Sequence, residues 1–136
     1  MRLLPTLAVT GKAPMRKSIL VVDDNRNFRG MVRKFFEFEP TNIAVLEATD
    51  GVDAIEQTRK CRPDLIIMDL LMPRLNGLDA CERLREMHID VPIVLFTMHG
   101  ESVSGPMAYS KGVTVVVLKP DFATLGQQVD FLLNPH

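Results

Sequence analysis

Cysteine is scarce in this chain of 136 residues, and an excess of either charge is almost absent. The two cysteines, Cys61 and Cys81, form no metal-type spacing. Both fall in helical patterns, where we expect buried, reduced thiols. Sixteen Lys and Arg against seventeen Asp and Glu leave a formal net charge of -1. Such a chain has no basic field, which argues against binding nucleic acid through charge alone. No apolar stretch approaches the roughly 20 residues that span a bilayer. The start, Met1-Arg2-Leu3-Leu4-Pro5, is faintly signal-like, but Pro5 breaks the stretch and no small-residue cleavage site follows. A cytoplasmic protein without membrane attachment is expected. Low-complexity segments are absent, as are internal repeats beyond a strand–helix unit.

What is present is an alternation of strand and helix patterns, five times over. The strand candidates are Ser18–Val22, Ile43–Ala48, Leu65–Asp69, Pro92–Phe96 and Thr114–Leu118. Four are near-continuous runs of Ile, Val and Leu, which suits a sheet covered on both faces. Ile43–Ala48 carries Glu47 and reads as an edge strand. In the first helix, Phe28, Met31, Val32, Phe35 and Phe36 follow the i, i+3, i+4, i+7, i+8 spacing of a core-facing stripe, and Pro40 stops it. Asp50-Gly51 opens a helix over Val52–Lys60 and Asn76-Gly77 one over Leu78–Met87, since Asp and Asn oxygens accept from free N–H groups at helix starts. Asp121 caps the last helix, with the stripe Phe122, Leu125, Val129, Leu132 and Leu133. The fourth helix, Glu101–Lys111, contains Gly105-Pro106, so a short, kinked or mobile element is predicted there. Residues 17–134 form one domain in this reading, and 1–16 a disordered N-terminal extension. For the first fourteen residues an upstream start codon is the alternative, because Met15 precedes the first strand. The last helix pattern runs almost to the end of the sequence, and a stand-alone receiver without an output domain is expected.

The fold class that follows is α/β: a doubly wound, five-stranded parallel sheet of order 2-1-3-4-5, flavodoxin-like. Its strands end on polar residues. The first ends in Asp23-Asp24, the third in Asp69, the fourth in Thr97 and the fifth in Lys119-Pro120. In this order the winding reverses between strands 1 and 3, where ligands of such sheets bind. Three carboxylates in one crevice repel unless a cation intervenes. Oxygen-only ligands suit Mg²⁺ better than zinc. A carboxylate also serves as a nucleophile toward phosphorus, with a Lys and a hydroxyl to stabilise the transferred group. Asp69, Lys119 and Thr97 match those three roles.

These residues, with Met72-Pro73-Arg74-Leu75-Asn76-Gly77, Asp50-Gly51 and Lys111-Gly112, make residues 17–134 resemble the receiver domain of two-component response regulators. The resemblance implies that Asp69 accepts a phosphoryl group from a histidine kinase or histidine phosphotransfer protein. It implies Mg²⁺ held by Asp23, Asp24, Asp69 and the backbone carbonyl of Leu71. Thr97 then resembles the switch hydroxyl, and Lys119, before a typically cis proline, the phosphoryl partner. The resemblance also implies that Leu71 and His99, two places after the acceptor and the switch residue, tune loss of the phosphoryl group; for His99 a plain loop histidine is the alternative. Catalysis beyond self-directed transfer and autodephosphorylation is not implied. A downstream protein is the implied further partner, with monomers or dimers through the helix 4–strand 5–helix 5 face.

The pattern departs in three places. Val116 stands where an aromatic switch residue is common, and a short, stiff side chain does not swing as an aromatic does. Asp121 replaces the aromatic that often follows the proline, and Gly105-Pro106 interrupts helix 4. Two other readings remain: a phosphorylation-independent docking module, and an aspartate-nucleophile phosphatase. The phosphatase pattern places Asp-x-Asp on the first strand, whereas here the acids are adjacent and the lone acid lies on the third.

Overall fold

A computed structural model describes residues 16–38 and 43–135. Residues 1–15 of the expected N-terminal extension and Pro40 lie outside those residues. Five strands alternate with five helices: β1 (Lys17–Val22), α1 (Arg26–Phe38), β2 (Ile43–Ala48), α2 (Gly51–Cys61), β3 (Leu65–Met68), α3 (Gly77–Glu86), β4 (Ile93–Thr97), α4 (Gly105–Ser110), β5 (Val115–Leu118) and α5 (Phe122–Leu133). The sheet order is β2-β1-β3-β4-β5, all parallel, as the sequence predicts. β2 is an edge strand.

The strand pleat separates two apolar layers. Leu20, Val22, Ile66, Met68 and Leu95 pack with Ala54, Cys81, Leu84 and Ala108 on one side. Ile19, Val21, Ile67, Val94 and Phe96 pack with Val32, Phe36, Leu125 and Val129 on the other. Alternate residues of a strand face opposite ways, so near-continuous apolar strands need helices on both faces. Register then sets the site. Val22 pairs with Met68, so Asp23 and Asp69 leave the sheet side by side. Thr97 pairs with Leu118, which brings Lys119 out at the same edge.

Three expectations need correction. Cys61 is exposed. It is the last residue of α2, whose inward face is Gly51, Ala54 and Thr58, and it turns toward Gln57 instead, with Sγ 3.8 Å from that amide oxygen. Met31 is 50% exposed. Only Val32 and Phe36 of α1 are buried, because the helix rests on the sheet through the i, i+4 row and Met31 falls beside it, on the flank toward α5. Helix 4 is short, but Pro106 does not kink it. A 3₁₀ turn, Gly100–Ser102, precedes it. Ser104 then caps α4 by accepting the Met107 N–H at 3.1 Å. Pro106 thus falls in the first turn, where a missing N–H leaves no helical bond unmade.

The cysteines carry a direct test. Cys81 is fully buried, and burial pushes its thiol up to about 11. One thiol per folded chain, that of Cys61, is expected to react with a thiol reagent at neutral pH, because the thiolate is the nucleophile. Mass spectrometry of the labelled protein should show the second adduct only after denaturation. Rapid double labelling of the native chain would contradict the packing described.

Candidate functional site

The acidic residues converge as the register requires. Asp23, Asp24 and Asp69 offer carboxylate oxygens that all lie within 4.8 Å of one another. Asp23 is buried, Asp69 half-buried and Asp24 exposed. Lys119 closes the group. Its Nζ donates to Asp23 Oδ2 at 2.7 Å and to Asp69 Oδ2 at 3.2 Å, with its side chain 6% exposed. The other oxygens have local donors: Asp23 Oδ1 accepts from Asn25 N–H at 2.8 Å, and Asp69 Oδ1 from Leu70 N–H at 2.8 Å. The Lys119–Pro120 peptide is cis.

The carboxyl of Asp69 sits above the ordinary carboxylate range. Burial is the main cause, opposed by the Lys119 charge and reinforced by Asp23. One ammonium facing two carboxylates, with a third acid beside them, leaves the group short of positive charge. The donors are hard oxygens at close quarters, and the cation now among them is Lys119 itself. That set fits a small, hard divalent cation such as Mg²⁺.

Thr97 is fully buried at the end of β4. Its Oγ1 accepts from His99 N–H at 3.0 Å, and its carbonyl accepts from Lys119 N–H at 2.9 Å. Among the described residues no hydrogen bond joins its hydroxyl to the acids. Leu71 and His99 are exposed on the loops at this edge. Val116 is half-buried and packs against the apolar layer that includes Val103 and Ala108, away from the acids.

The structure adds contacts that pattern reading does not give, and it bears out the cap expected of Asp50. Arg29 donates to the Asp23 carbonyl at 2.7 Å and to Glu47 Oε1 at 2.7 Å, and Arg33 holds Glu47 Oε2 at 2.7 Å. The Arg29 hydrogen bond, above all, pulls the Glu47 carboxyl down. The signal was a lone acid near the end of an otherwise apolar edge strand, facing two arginines four apart. Phe28 lies beneath Lys119, with Nζ 4.1 Å from the ring centroid, a cation–π contact. Arg74 pairs bidentately with Asp50 at 2.8 and 3.2 Å, tying the β3–α3 loop to the start of α2. Asp50 in turn caps α2 by accepting Asp53 N–H at 2.8 Å. At Gly77 a missing side chain shapes the site: a Cβ there would overlap the Asp69 carbonyl oxygen.

An acidic cluster with a lysine, at the winding reversal of a 2-1-3-4-5 sheet, defines the class: a doubly wound, flavodoxin-like α/β domain with a candidate cation site at its switch point. Residues 19–130 match the model of the response regulator receiver domain, and the chain belongs to that family. It is 37% identical over 115 residues to a protein-glutamate methylesterase/protein-glutamine glutaminase of Paramagnetospirillum magneticum, covering 85% of this chain and 32% of that one. It is 40% identical over 90 residues to the response regulator MprA of Mycobacterium leprae, covering 66% and 38%. The chain thus spans roughly a third to two fifths of the length of these curated relatives. Among solved structures it is similar to a two-component response regulator of the LuxR family from Aurantimonas (TM-score 0.80, 32% identity, 88% of this chain and 86% of that one). It is also similar to the response regulator TrrA of Thermotoga maritima, solved in complex with Mg²⁺ and BeF (TM-score 0.78, 29% identity, 86% and 99%). No helix among the described residues is long and apolar enough to cross a membrane.

Proposed function

We propose that this receiver domain is a phosphoacceptor switch in which Asp69 takes a phosphoryl group from a histidine kinase or histidine phosphotransfer protein. The observation that carries this reading is Lys119 bridging Asp23 and Asp69 inside a three-carboxylate cluster. A carboxylate oxygen of Asp69 attacks phosphorus, the bond to the donor nitrogen breaks, and the donor imidazole leaves with that electron pair. Asp23, Asp24, Asp69 and the Leu71 carbonyl are the proposed holders of Mg²⁺, which when bound neutralises charge on the phosphoryl oxygens. Lys119 exchanges its carboxylate partner for a phosphoryl oxygen. Thr97 accepts from His99 N–H, so its own hydroxyl proton is free to be donated to that group.

Wild-type protein incubated with acetyl phosphate and Mg²⁺ is expected to gain the mass of one phosphoryl group, and none in EDTA. A folded protein that never gains it would sink the acceptor reading. It would favour a docking module that works without phosphorylation, a reading to which the inward-packed Val116 and the six-residue α4 lend some support. We also propose that Leu71 and His99 set the lifetime of the phosphorylated form, since both are exposed at the rim of the site. Leu71→Asn and His99→Ala should each change the dephosphorylation rate measured by loss of that mass. Unchanged lifetimes in both would remove the idea.

A further inference from the structure

We propose, in a step that rests on the phosphoacceptor reading, that Arg29 and Glu47 are positioning residues for the cation site: their ion pair fixes Asp23 from behind and sets how tightly the acidic cluster holds Mg²⁺. Each polar atom of Asp23 has a partner. Its N–H donates to Ala48 O at 3.2 Å, which ties the end of β1 to β2. Its Oδ1 accepts from Asn25 N–H at 2.8 Å, and its carbonyl from Arg29 Nη1 at 2.7 Å. Its Oδ2 accepts from Lys119 Nζ at 2.7 Å. Of these partners only Lys119 changes in the proposed transfer, so the others set where the carboxylate stands.

Arg29 links that carbonyl to the frame of the domain. It stands on α1, which is anchored on the sheet through Val32 and Phe36, and its side chain is only 12% exposed. While Nη1 reaches the Asp23 carbonyl, Nε donates to Glu47 Oε1 at 2.7 Å. A guanidinium is a rigid, planar fork, so the second bond fixes the direction of the first. Glu47 stands on β2, in register with Val21 of β1. Its other oxygen accepts from Arg33 Nε at 2.7 Å. The β1–α1 loop is thus held by a helix and an edge strand as well as by its own turn. Supports of this kind, one step outside the ligands, orient a metal site.

Charge explains why the pair is needed and not Arg29 alone. A lone guanidinium behind the acids adds positive charge where a cation has to bind. Glu47 cancels that charge at 2.7 Å. The Arg29 hydrogen bond, above all, holds the Glu47 carboxyl below its ordinary range, so the pair stays ionised at neutral pH. Arg33 differs from Arg29 in one respect that matters. It grips Glu47, Glu37 and the Val45 carbonyl, and none of its hydrogen bonds goes to Asp23.

Mg²⁺ titrated into the full ¹⁵N-labelled chain and followed by NMR tests this through binding, without phosphoryl transfer. Arg29→Met should weaken Mg²⁺ binding about tenfold. Glu47→Gln should weaken it several-fold, since an unbalanced guanidinium then stands behind the cation. The double variant should bind no worse than Arg29→Met alone, because both changes disable one device. Arg33→Met breaks an ion pair with the same Glu47 and should cost stability, yet leave Mg²⁺ affinity within about twofold of the parent's. The Asp24 amide shares a peptide with the Asp23 carbonyl. Its ¹⁵N resonance should therefore move in Arg29→Met and stay in Arg33→Met, even without Mg²⁺. The proposal is overturned if the parent binds Mg²⁺ and Arg29→Met binds it equally well. It is overturned equally if Arg33→Met loses as much affinity as Arg29→Met, which would make the network merely structural. Should Arg29→Met not fold, unchanged binding in Glu47→Gln overturns it. A parent that takes up neither Mg²⁺ nor a phosphoryl group overturns it together with the phosphoacceptor reading.

Discussion

Asp69→Asn is expected to abolish phosphoryl labelling while leaving the fold intact. The amide has no carboxylate oxygen to attack phosphorus, so the loss should be complete rather than graded. Folding should not suffer, because the charge removed is an uncomfortable one. Burial and the Asp23 charge hold the Asp69 carboxyl above its usual range. A carboxyl raised in this way costs the fold nothing below its unfolded value. It destabilises progressively as pH rises through its folded value, since the ionised form is the disfavoured one. At neutral pH the substitution removes that penalty, and Lys119 keeps Asp23 at 2.7 Å. Without divalent cation, the variant's melting temperature should therefore be no lower than the parent's. The parent should lose part of its stability between acid and neutral pH that the variant keeps. Mass spectrometry and thermal melts at two pH values test both halves. A phosphoryl group still carried by Asp69→Asn would place the acceptor elsewhere, and a cooperative loss of structure would show that Asp69 is needed for folding.

Phe96→Ala should be the most damaging single change to stability, by about 3–5 kcal/mol. That is a large part of the roughly 5–15 kcal/mol that holds such a domain folded. Phe96 is 1% exposed and lies on β4, inside the sheet. Its ring meets Phe28 at 5.7 Å and Phe122 at 5.5 Å, and Phe122 continues the cluster to Phe35 at 5.3 Å. Truncation leaves a void bordered by rings from α1 and α5, which the sheet cannot collapse to fill. The site should register the change too, since Phe28 carries Lys119. Urea unfolding should show a lower midpoint at an unchanged slope. Phe96→Leu, which keeps most of the volume, should lose less than half as much. A Phe96→Ala cost below about 1 kcal/mol would mean that the aromatic cluster is not packed as described.

Much of the site was legible because its residues stand at strand ends. Val21-Val22-Asp23-Asp24 and Ile67-Met68-Asp69 announce both the strand and its terminus. A parallel sheet sends all such termini to one edge, so the sequence alone puts Asp23, Asp24, Asp69, Thr97 and Lys119 there. The helix caps Asp50, Asn76 and Asp121 were equally legible, since a cap depends on a few neighbouring residues. Their side chains accept from Asp53, Asp79 and Thr124 as the spacing requires.

The sequence by itself determined the alternation, the order of the sheet's class and the family, because each rests on local periodicity and on motifs at element ends. Only the tertiary structure decided which partners those residues take. Lys119 meets Asp23 from 96 residues away, and Arg29 meets Glu47 from 18. Neither pairing is encoded in spacing; each arises from strand register and from the rotation of a helix about its own axis. The same rotation leaves Met31 and Cys61 in water although their spacing is that of core residues. A periodic pattern names a helix's apolar face, but how wide an arc of it is buried depends on which elements lie against it.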